Sequence, residues 1–150
     1  MNKKGIFYIA TAIFIIVLIL LFLLNYLYGE EFSSIPEISD NYVTEVIDGD
    51  TFKIYSGDSV RLICIDTPER WDEGYYLAKD FLESLILNKE VRLEKDVSET
   101  DRYGRLLRYV YVNKSNKEIF VNKEIVKQGY GVVYRYGDDV KRCEEIENNK

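Results

Sequence analysis

The chain of 150 residues, 47% of them hydrophobic, is long enough for one globular domain beside a membrane segment. It contains no histidine and two cysteines, which excludes catalytic triads with a histidine base, most zinc sites and a four-ligand zinc site made of cysteines alone. The formal net charge is −6; because two of the 20 basic and four of the 26 acidic residues precede Asn41, the remainder carries −4, which argues against binding nucleic acid by bulk charge.

The N-terminus carries a long apolar segment. Residues 6–24 contain no charged side chain, and at a rise of 1.5 Å per residue they span about 28 Å, the thickness of a bilayer's hydrocarbon core. Lysines precede the segment and glutamates follow it, so the positive-inside rule places the N-terminus in the cytoplasm. We predict a transmembrane anchor at residues 1–28; a cleaved signal peptide is the alternative, although no small-x-small cleavage signature follows.

The rest of the chain divides into a short polar segment and one domain. Residues 29–41 are polar and contain a proline, which predicts a tether. Residues 42–150 form the predicted domain, which the topology places outside the cytoplasm in a single-pass membrane protein.

The domain opens with three predicted strands. β-Branched, aromatic and aliphatic residues are concentrated at 42–47, 51–55 and 59–65, and Gly57 marks a tight turn between the second and third strands. This hairpin brings Asp50, at the start of one strand, near Asp66, at the end of the other.

The pattern then alternates between helices and strands. Apolar residues at helical spacing from Leu77 to Ile86 predict a helix over 74–87. Two more strands are predicted at 90–97 and 106–112, a short helix capped by Asn122, and a last helix that opens at Asp138 and Asp139. An α+β domain of five strands and about three helices indicates a partly open β-barrel of the OB type.

Two acidic motifs flank Arg61 on the hairpin: D-G-D-T at 48–51 and D-T-P-E at 66–69. Carboxylates and a cation on a rigid hairpin suit a metal and phosphate site, whereas the alternative is a charged turn at each end of an ordinary hairpin. Arg61 and Asp66 are five residues apart and would point to opposite faces of a regular strand. They can serve one site only if the strand bends or ends before Asp66.

Two further motifs follow these along the chain: T-D-R-Y-G-R at 100–105 and V-K-Q-G-Y-G-V-V-Y-R-Y at 126–136. The ordered set, including R-L-x-x-I-D-T-P-E from Arg61 to Glu69, resembles the staphylococcal nuclease-like (thermonuclease) family between Tyr42 and Tyr136. The resemblance implies a five-stranded OB barrel with three helices. It also implies calcium-dependent hydrolysis of DNA and RNA phosphodiesters that leaves 3′-phosphates.

The resemblance assigns a calcium site. Asp50 and Asp66 would bind Ca²⁺ through their carboxylates and Thr67 through its backbone carbonyl, with Asp48 supporting the same turn. Oxygen ligands of this kind suit calcium, and the site offers no nitrogen or sulfur to draw a softer metal.

The resemblance also assigns catalytic residues. Glu69 would position or deprotonate the attacking water, and Arg61 and Arg105 would hold the scissile phosphate. Guanidinium groups stay charged and match the equatorial oxygens of a phosphorane-like transition state. The alternative for both arginines is an ion pair at the rim of the barrel.

The remaining carried-over residues would contact nucleic acid: Arg102, Tyr103, Tyr134 and Tyr136. For the two later tyrosines a packing role is the alternative. We expect Trp71, in the loop after Glu69, to cover the core, with base stacking as its alternative.

The sequence therefore predicts a membrane-anchored extracytoplasmic nuclease that acts on DNA and/or RNA, with no protein partner implied. The alternative is a catalytically silent OB-fold module that binds nucleic acid or a protein partner at the cell surface. All five charged residues of the implied active site are present, and this favours the enzyme.

Cys64 and Cys143 are the only cysteines. In the implied family fold the last helix packs across the barrel near the strand of Cys64, and a disulfide persists outside the cytoplasm. We predict that the two are bridged; two free thiols are the alternative.

Overall fold

The computed structural model describes residues 2–29 and 38–148. Two compact units divide between Glu37 and Ile38. In the first unit, residues Lys4–Leu27 are long and apolar enough to cross a membrane by length and composition, a property that a signal sequence shares. Residues 30–37 of the predicted tether lie outside the described part of the chain.

Four helices and eight strands are present among the described residues. In chain order they are α1 (Lys3–Gly29), β1 (Val43–Val46), β2 (Thr51–Ile54), β3 (Ser59–Leu62), β4 (Ile65–Asp66), α2 (Tyr75–Ile86), β5 (Val91–Glu94), β6 (Leu106–Lys114), β7 (Lys117–Phe120), α3 (Val121–Lys127), β8 (Val132–Val133) and α4 (Cys143–Glu147).

Five of the strands form a curved sheet in the order β1-β2-β3-β6-β5. Its pairs are antiparallel except for β3 and β6, which run parallel. The sheet returns on itself, because Tyr42 pairs with Glu90 and the Val43 N–H donates to the Lys89 carbonyl at 2.8 Å. The result is a small barrel, and this closure leaves few strand edges exposed.

Four of the five barrel strands lie inside the segments predicted from sequence, and β6 extends two residues beyond its segment. Three short strands were not predicted. β4 exists as a separate strand because the predicted third strand breaks at Cys64, which has a φ of 63°. β7 forms because Ser115 and Asn116 both adopt positive φ and turn the chain back onto β6. β8 pairs with β4 in a sheet of two strands.

A single apolar core fills the barrel and the space under its helices. α2 buries one stripe against it, with Ala78, Leu82 and Ile86 fully buried, as the helical spacing predicts. Leu77, assigned to the same stripe, is instead 63% exposed. The largest fully buried side chains come from both sheet and helices: Phe52, Leu62, Ile65, Leu82, Ile86, Tyr109, Ile125 and Ile146.

Two helix starts differ from the prediction. Asn122 does not cap α3: it is buried, and its side chain accepts from the Val110 N–H at 2.9 Å instead. α4 begins at Cys143, not at Asp138 and Asp139. The Asp139 carboxylate is used elsewhere, because it accepts two backbone N–H groups from residues 97 and 98.

Candidate active site

The chain bends sharply between β3 and β4, at Cys64. Asn122 holds the bend, because its Nδ2 donates to the Ile63 carbonyl at 2.9 Å. The bend turns the chain so that Arg61 Nη2 lies 3.2 Å from Asp66 Oδ1. The condition that the strand bend, bulge or end before Asp66 is therefore met, because β3 ends at Leu62 and the chain bends before β4.

The same bend carries a disulfide. Cys64 is bonded to Cys143, the first residue of α4, with 5.3 Å between their Cα atoms. Both cysteines are buried. The predicted bridge is confirmed, and it ties the last helix to the segment between Arg61 and Asp66.

The turn before β2 places Asp50 in the interior. Gly49 allows this, because a Cβ there would lie 2.7 Å from both Thr67 Oγ1 and the Ala78 Cβ. Asp50 is 5% exposed. Its Oδ2 accepts from the Thr67 N–H at 3.2 Å and from Thr67 Oγ1 at 2.9 Å, and it lies 2.7 Å from Arg61 Nη1.

Arg61 is thus paired with two carboxylates, one that precedes β2 and one that follows β3. One Nη atom meets Asp50 and the other meets Asp66. The Arg61 side chain is 16% exposed and that of Asp66 47% exposed, so this group faces solvent on the Asp66 side. We call Asp50, Arg61, Asp66 and Thr67 the floor of the site.

The floor presents oxygen atoms of the kind that suit a cation. Burial raises the pKa of the Asp50 carboxyl to about 7, against the lowering effect of Arg61. Burial disfavours the charged form of this carboxyl group, and a cation bound beside it would favour that form. Two carboxylates and a carbonyl oxygen are also the donors that calcium prefers. Among the residues that the structure describes, no group of three or more His, Cys, Asp or Glu side chains is placed to hold a metal ion.

Arg105 reaches the floor from the loop before β6. Its Nε donates to Asp101 Oδ2 at 2.7 Å and its Nη1 to Thr51 Oγ1 at 3.3 Å. Thr51 Oγ1 in turn donates to Asp50 Oδ1 at 3.1 Å. Although burial alone would raise it, hydrogen bonds from Arg105 lower the pKa of Asp101. The Asp101 carboxylate therefore stays charged and orients Arg105.

A cleft of about 450 Å³ opens beside these arginines, and we call it the arginine cleft. Tyr136 is 70% and Tyr134 52% exposed, which does not fit a packing role for either. Six of the predicted site residues line the cleft: Arg61, Arg102, Tyr103, Arg105, Tyr134 and Tyr136.

Glu69 lies at the edge of the site. It is exposed, and its N–H donates to Asp72 Oδ2 at 3.1 Å within a short turn. A cavity of about 290 Å³ is lined by Glu69 together with Asp66 and Thr67. Glu69 does not line the arginine cleft, so it approaches the floor from another side.

Residues 59–150 match the family model of staphylococcal nuclease homologues. The chain belongs to the staphylococcal nuclease family. The resemblance predicted from the motifs is confirmed, and family membership carries the OB fold that the closed barrel shows. The match begins at Ser59, so Asp50 lies before it and the other predicted site residues lie inside it.

Individual relatives agree with the family model. The chain is 38% identical over 114 residues to a thermonuclease of Staphylococcus hyicus, covering 70% of this chain and 65% of that protein. It is 32% identical over 133 residues to an uncharacterized protein of Methanocaldococcus jannaschii, covering 69% and 64%. It is 31% identical over 125 residues to the SPbeta prophage-derived endonuclease YokF of Bacillus subtilis, covering 76% and 41%. The chain thus spans less than two thirds of the length of each of these relatives.

Three residues that shape the candidate site were not predicted from the sequence. Asp101 and Thr51 both hold Arg105, and Gly131 lets the chain pass the floor, because a Cβ there would lie 2.9 Å from the Asp66 carbonyl oxygen. Asp101 had a local signal, since it stands four residues before Arg105 in the D-R-Y-G-R motif. The contacts of Thr51 and Gly131 join distant parts of the chain and have no such signal.

The expectation that Trp71 covers the core is wrong. Its side chain is 86% exposed. It lies in a short turn in which the Asp72 N–H donates to the Glu69 carbonyl at 2.9 Å. Trp71 has a φ of 85°, a conformation that costs a non-glycine residue about 1–2 kcal/mol.

Proposed function

We propose that this domain is a calcium-dependent phosphodiesterase that hydrolyses DNA and/or RNA. The observation that carries the proposal is the floor: Arg61 is paired with Asp50 and Asp66 beside an exposed Glu69. The names of family relatives, a thermonuclease and an endonuclease among them, support hydrolysis of nucleic acid.

Glu69 acts on the nucleophile. Its exposed carboxylate accepts a proton as water attacks phosphorus, because neutral water is a poor nucleophile without a base. The bond from phosphorus to the 5′ oxygen breaks, and that oxygen takes a proton from solvent. The products are a 3′-phosphate and a 5′-hydroxyl.

Arg61 and Arg105 stabilise the transition state. Negative charge gathers on the equatorial oxygens as the fifth bond to phosphorus forms, and each guanidinium offers paired donors to those oxygens. Their own partners, Asp50 and Asp66 for one and Asp101 for the other, hold them in place before substrate arrives. Such preorganisation is worth about 3–4 kcal/mol per donor, by analogy with an oxyanion hole.

Asp50, Asp66 and the carbonyl of Thr67 would hold the calcium ion. A bound calcium would neutralise charge on the phosphate and offset the repulsion between substrate and the two carboxylates. Arg102, Tyr103, Tyr134 and Tyr136 bind the neighbouring nucleotide in the arginine cleft. Stacking on exposed tyrosine rings and contact with arginine suit a nucleobase and its phosphate.

We further propose that residues 1–28 anchor the protein in the cell membrane, that residues 29–41 are a tether, and that the domain from 42 to 150 lies outside the cytoplasm. The length and composition of α1 support the anchor, and the lysines before it support the orientation. A protease added to intact cells should digest the domain. Retention of the mature protein in the membrane after an alkaline wash distinguishes an anchor from a cleaved signal peptide.

The test of the enzyme is hydrolysis of single-stranded DNA by the full chain in non-ionic detergent. We expect products with calcium and none in excess chelator. Arg92→Ala is a matched control, because Arg92 is an exposed arginine paired with Glu118 on β7 and lines neither cleft nor floor. The control should keep full activity, whereas Arg61→Ala should lose it.

Hydrolysis that persists in chelator would refute the metal role. The silent binding module makes a different prediction: tight binding at physiological salt without calcium. Our proposal expects weak, salt-sensitive binding under those conditions, because the domain is net negative and attraction rests on Arg61, Arg102 and Arg105.

A further inference from the structure

A second cleft of about 450 Å³ adjoins the candidate active site, and we call it the aromatic cleft. It shares no residue with the arginine cleft. It shares Glu69 with the cavity of Asp66 and Thr67, so it begins at the carboxylate proposed to act on water. Its lining includes Asp48, Glu69, Arg70, Tyr75, Tyr76 and Lys79.

The wall of the aromatic cleft combines a fixed ring with an exposed one. Tyr75 is anchored, because its hydroxyl donates to the Ile47 carbonyl at 3.2 Å. Tyr76 packs edge-on against it, with 5.1 Å between ring centroids, and is 70% exposed. A large ring held by a fixed neighbour and facing water is a ready surface for stacking.

Two cations lie along the same cleft. Arg70 is exposed, and Lys79 makes a 4.0 Å contact with Glu83 on the same helix. Asp48 and Glu69 border the cleft at the end that adjoins the floor. Arg70 and Lys79 are the lining residues that attract phosphate, whereas Asp48 and Glu69 repel it.

Trp71 extends this surface beyond the cleft. The Arg70 guanidinium lies 5.1 Å from the Trp71 ring centroid, so the ring is directly linked to the cleft wall. With Trp71 86%, Tyr76 70% and Leu77 63% exposed, large apolar side chains are concentrated in one stretch of seven residues. A tryptophan held at a turn tip in a disfavoured conformation covers no core and is available to a ligand.

We propose that the aromatic cleft and Trp71 bind the part of an unpaired nucleic acid strand that continues past the scissile phosphate on the side away from the arginine cleft. Bases stack on Tyr76 and Trp71, and a phosphate meets Arg70 and Lys79. The inference rests on the proposed function, and Glu69 connects the two because it borders the cleft and acts on the water. Stacking of this kind needs bases that are free of a duplex, so the cleft selects single strands.

Trp71 reports its own contacts, because it is the only tryptophan of the chain. The full chain in non-ionic detergent, in an Arg61→Lys background that slows hydrolysis, is titrated with calcium and a single-stranded oligonucleotide while tryptophan emission is recorded. We expect quenching by the single strand and little by a duplex of the same sequence. Anisotropy of a labelled oligonucleotide measures binding independently.

Kinetics provide the second readout. Trp71→Ala in the otherwise wild-type chain should raise KM for a single-stranded oligonucleotide about tenfold, the loss of one base stack, with a smaller change in kcat. Trp71→Phe keeps a ring and should restore KM to within about threefold. Tyr55→Ala is the matched control, because Tyr55 is 55% exposed at the turn end of the hairpin and lines none of the three cavities.

The outcomes separate this inference from the proposed function. An oligonucleotide that binds and is cleaved without quenching Trp71, or a Trp71→Ala variant with unchanged KM, overturns the inference alone. The inference is also overturned if tryptophan emission is blue-shifted in detergent or anionic vesicles and does not change when the oligonucleotide is added, because Trp71 then contacts lipid. An oligonucleotide that is neither bound nor cleaved overturns both.

Discussion

The floor and the rim of the candidate active site are built in different ways. In the floor, the side chains of Asp50 and Arg61 are 8% and 16% exposed, and the Asp50 carboxylate contacts Thr51, Arg61 and Thr67. In the rim, which we define as Glu69, Arg70 and Trp71, all three side chains are exposed and one short turn holds the backbone. The floor joins distant segments of the chain, whereas the rim is local.

This difference separates structural from chemical effects. A floor residue takes part in the packing of the barrel as well as in the proposed chemistry, so its loss changes both. A rim residue has few partners, so its loss changes contacts with substrate and leaves the fold alone. Three predictions test this contrast, from the largest expected effect to the smallest.

The first prediction compares Arg61→Ala with Glu69→Gln. Both should lower nuclease activity by about 10²–10³-fold or more, through a lost transition-state donor and a lost base. Arg61→Ala should also lower the free energy of unfolding by about 3 kcal/mol, because it leaves the buried Asp50 carboxylate without its charged partner. Glu69→Gln should change it by less than about 0.5 kcal/mol.

Denaturant unfolding of the two variants measures their stability, and initial hydrolysis rates measure their activity. Equal stability of both variants would remove the distinction between floor and rim. Activity close to that of the unmodified chain in either variant would refute its role in the site.

The second prediction concerns the disulfide that pins the floor. Replacing Cys64 and Cys143 with serine should lower the free energy of unfolding by about 4 kcal/mol, because the bridge closes a loop with a sequence separation of 79. Cys64 lies in the bend between Arg61 and Asp66, so activity should fall as well. Thermal unfolding measures the first effect and hydrolysis the second.

A reducing agent provides the control for the disulfide. The wild-type chain under reducing conditions should match the doubly substituted variant, whose own stability should not respond to the reductant. Two free thiols in protein purified under thiol-blocking conditions would contradict the bridge itself.

The third prediction concerns Asp101, which belongs to neither the floor nor the rim. Its side chain is 14% exposed, and that of its partner Arg105 is 30% exposed. Asp101→Asn should lower stability at neutral pH by about 1 kcal/mol, through a weaker ion pair and weaker hydrogen bonds. Because the pKa of Asp101 is lowered in the folded protein, this contribution is present above its unfolded pKa and is lost as the pH falls through the folded one.

The direction of this pH dependence is tested by measuring the free energy of unfolding of the wild-type chain and of Asp101→Asn at neutral pH and in acid. The difference between them should shrink in acid, where the Asp101 carboxyl is protonated. A difference that grows on acidification would show that Asp101 does not stabilise the fold as a carboxylate.

Much of the floor was predictable because its requirements are local. The spacing of Arg61 and Asp66 demanded a broken strand, and the structure breaks it at Cys64. Gly57 marked the hairpin turn, which it makes with a φ of 93°. The acidic motifs at both ends of the hairpin then had to meet, because the turn sets the register of the two strands.

The unpredicted parts depend on contacts between distant residues. Asn122 was expected to cap a helix, and it holds the Ile63 carbonyl instead. No role was predicted for Gly49, and a glycine is required there because Thr67 and Ala78 approach it closely. Local sequence cannot report such approaches, since both partners are far along the chain.

The sequence by itself determined the family, the hairpin with its acidic motifs and Arg61, the amphipathic face of α2, and the apolar segment at the N-terminus. Each of these follows from residue type at short range, through turn propensity, hydrophobic period and motif spacing. Only the tertiary structure decided that Asp50 is buried against Thr67, that Arg105 is held by Thr51 and Asp101, and that Trp71 stays exposed beside a second cleft. These outcomes depend on which surfaces the closed barrel covers, and burial is a property of the whole fold, whereas spacing is a property of the local sequence.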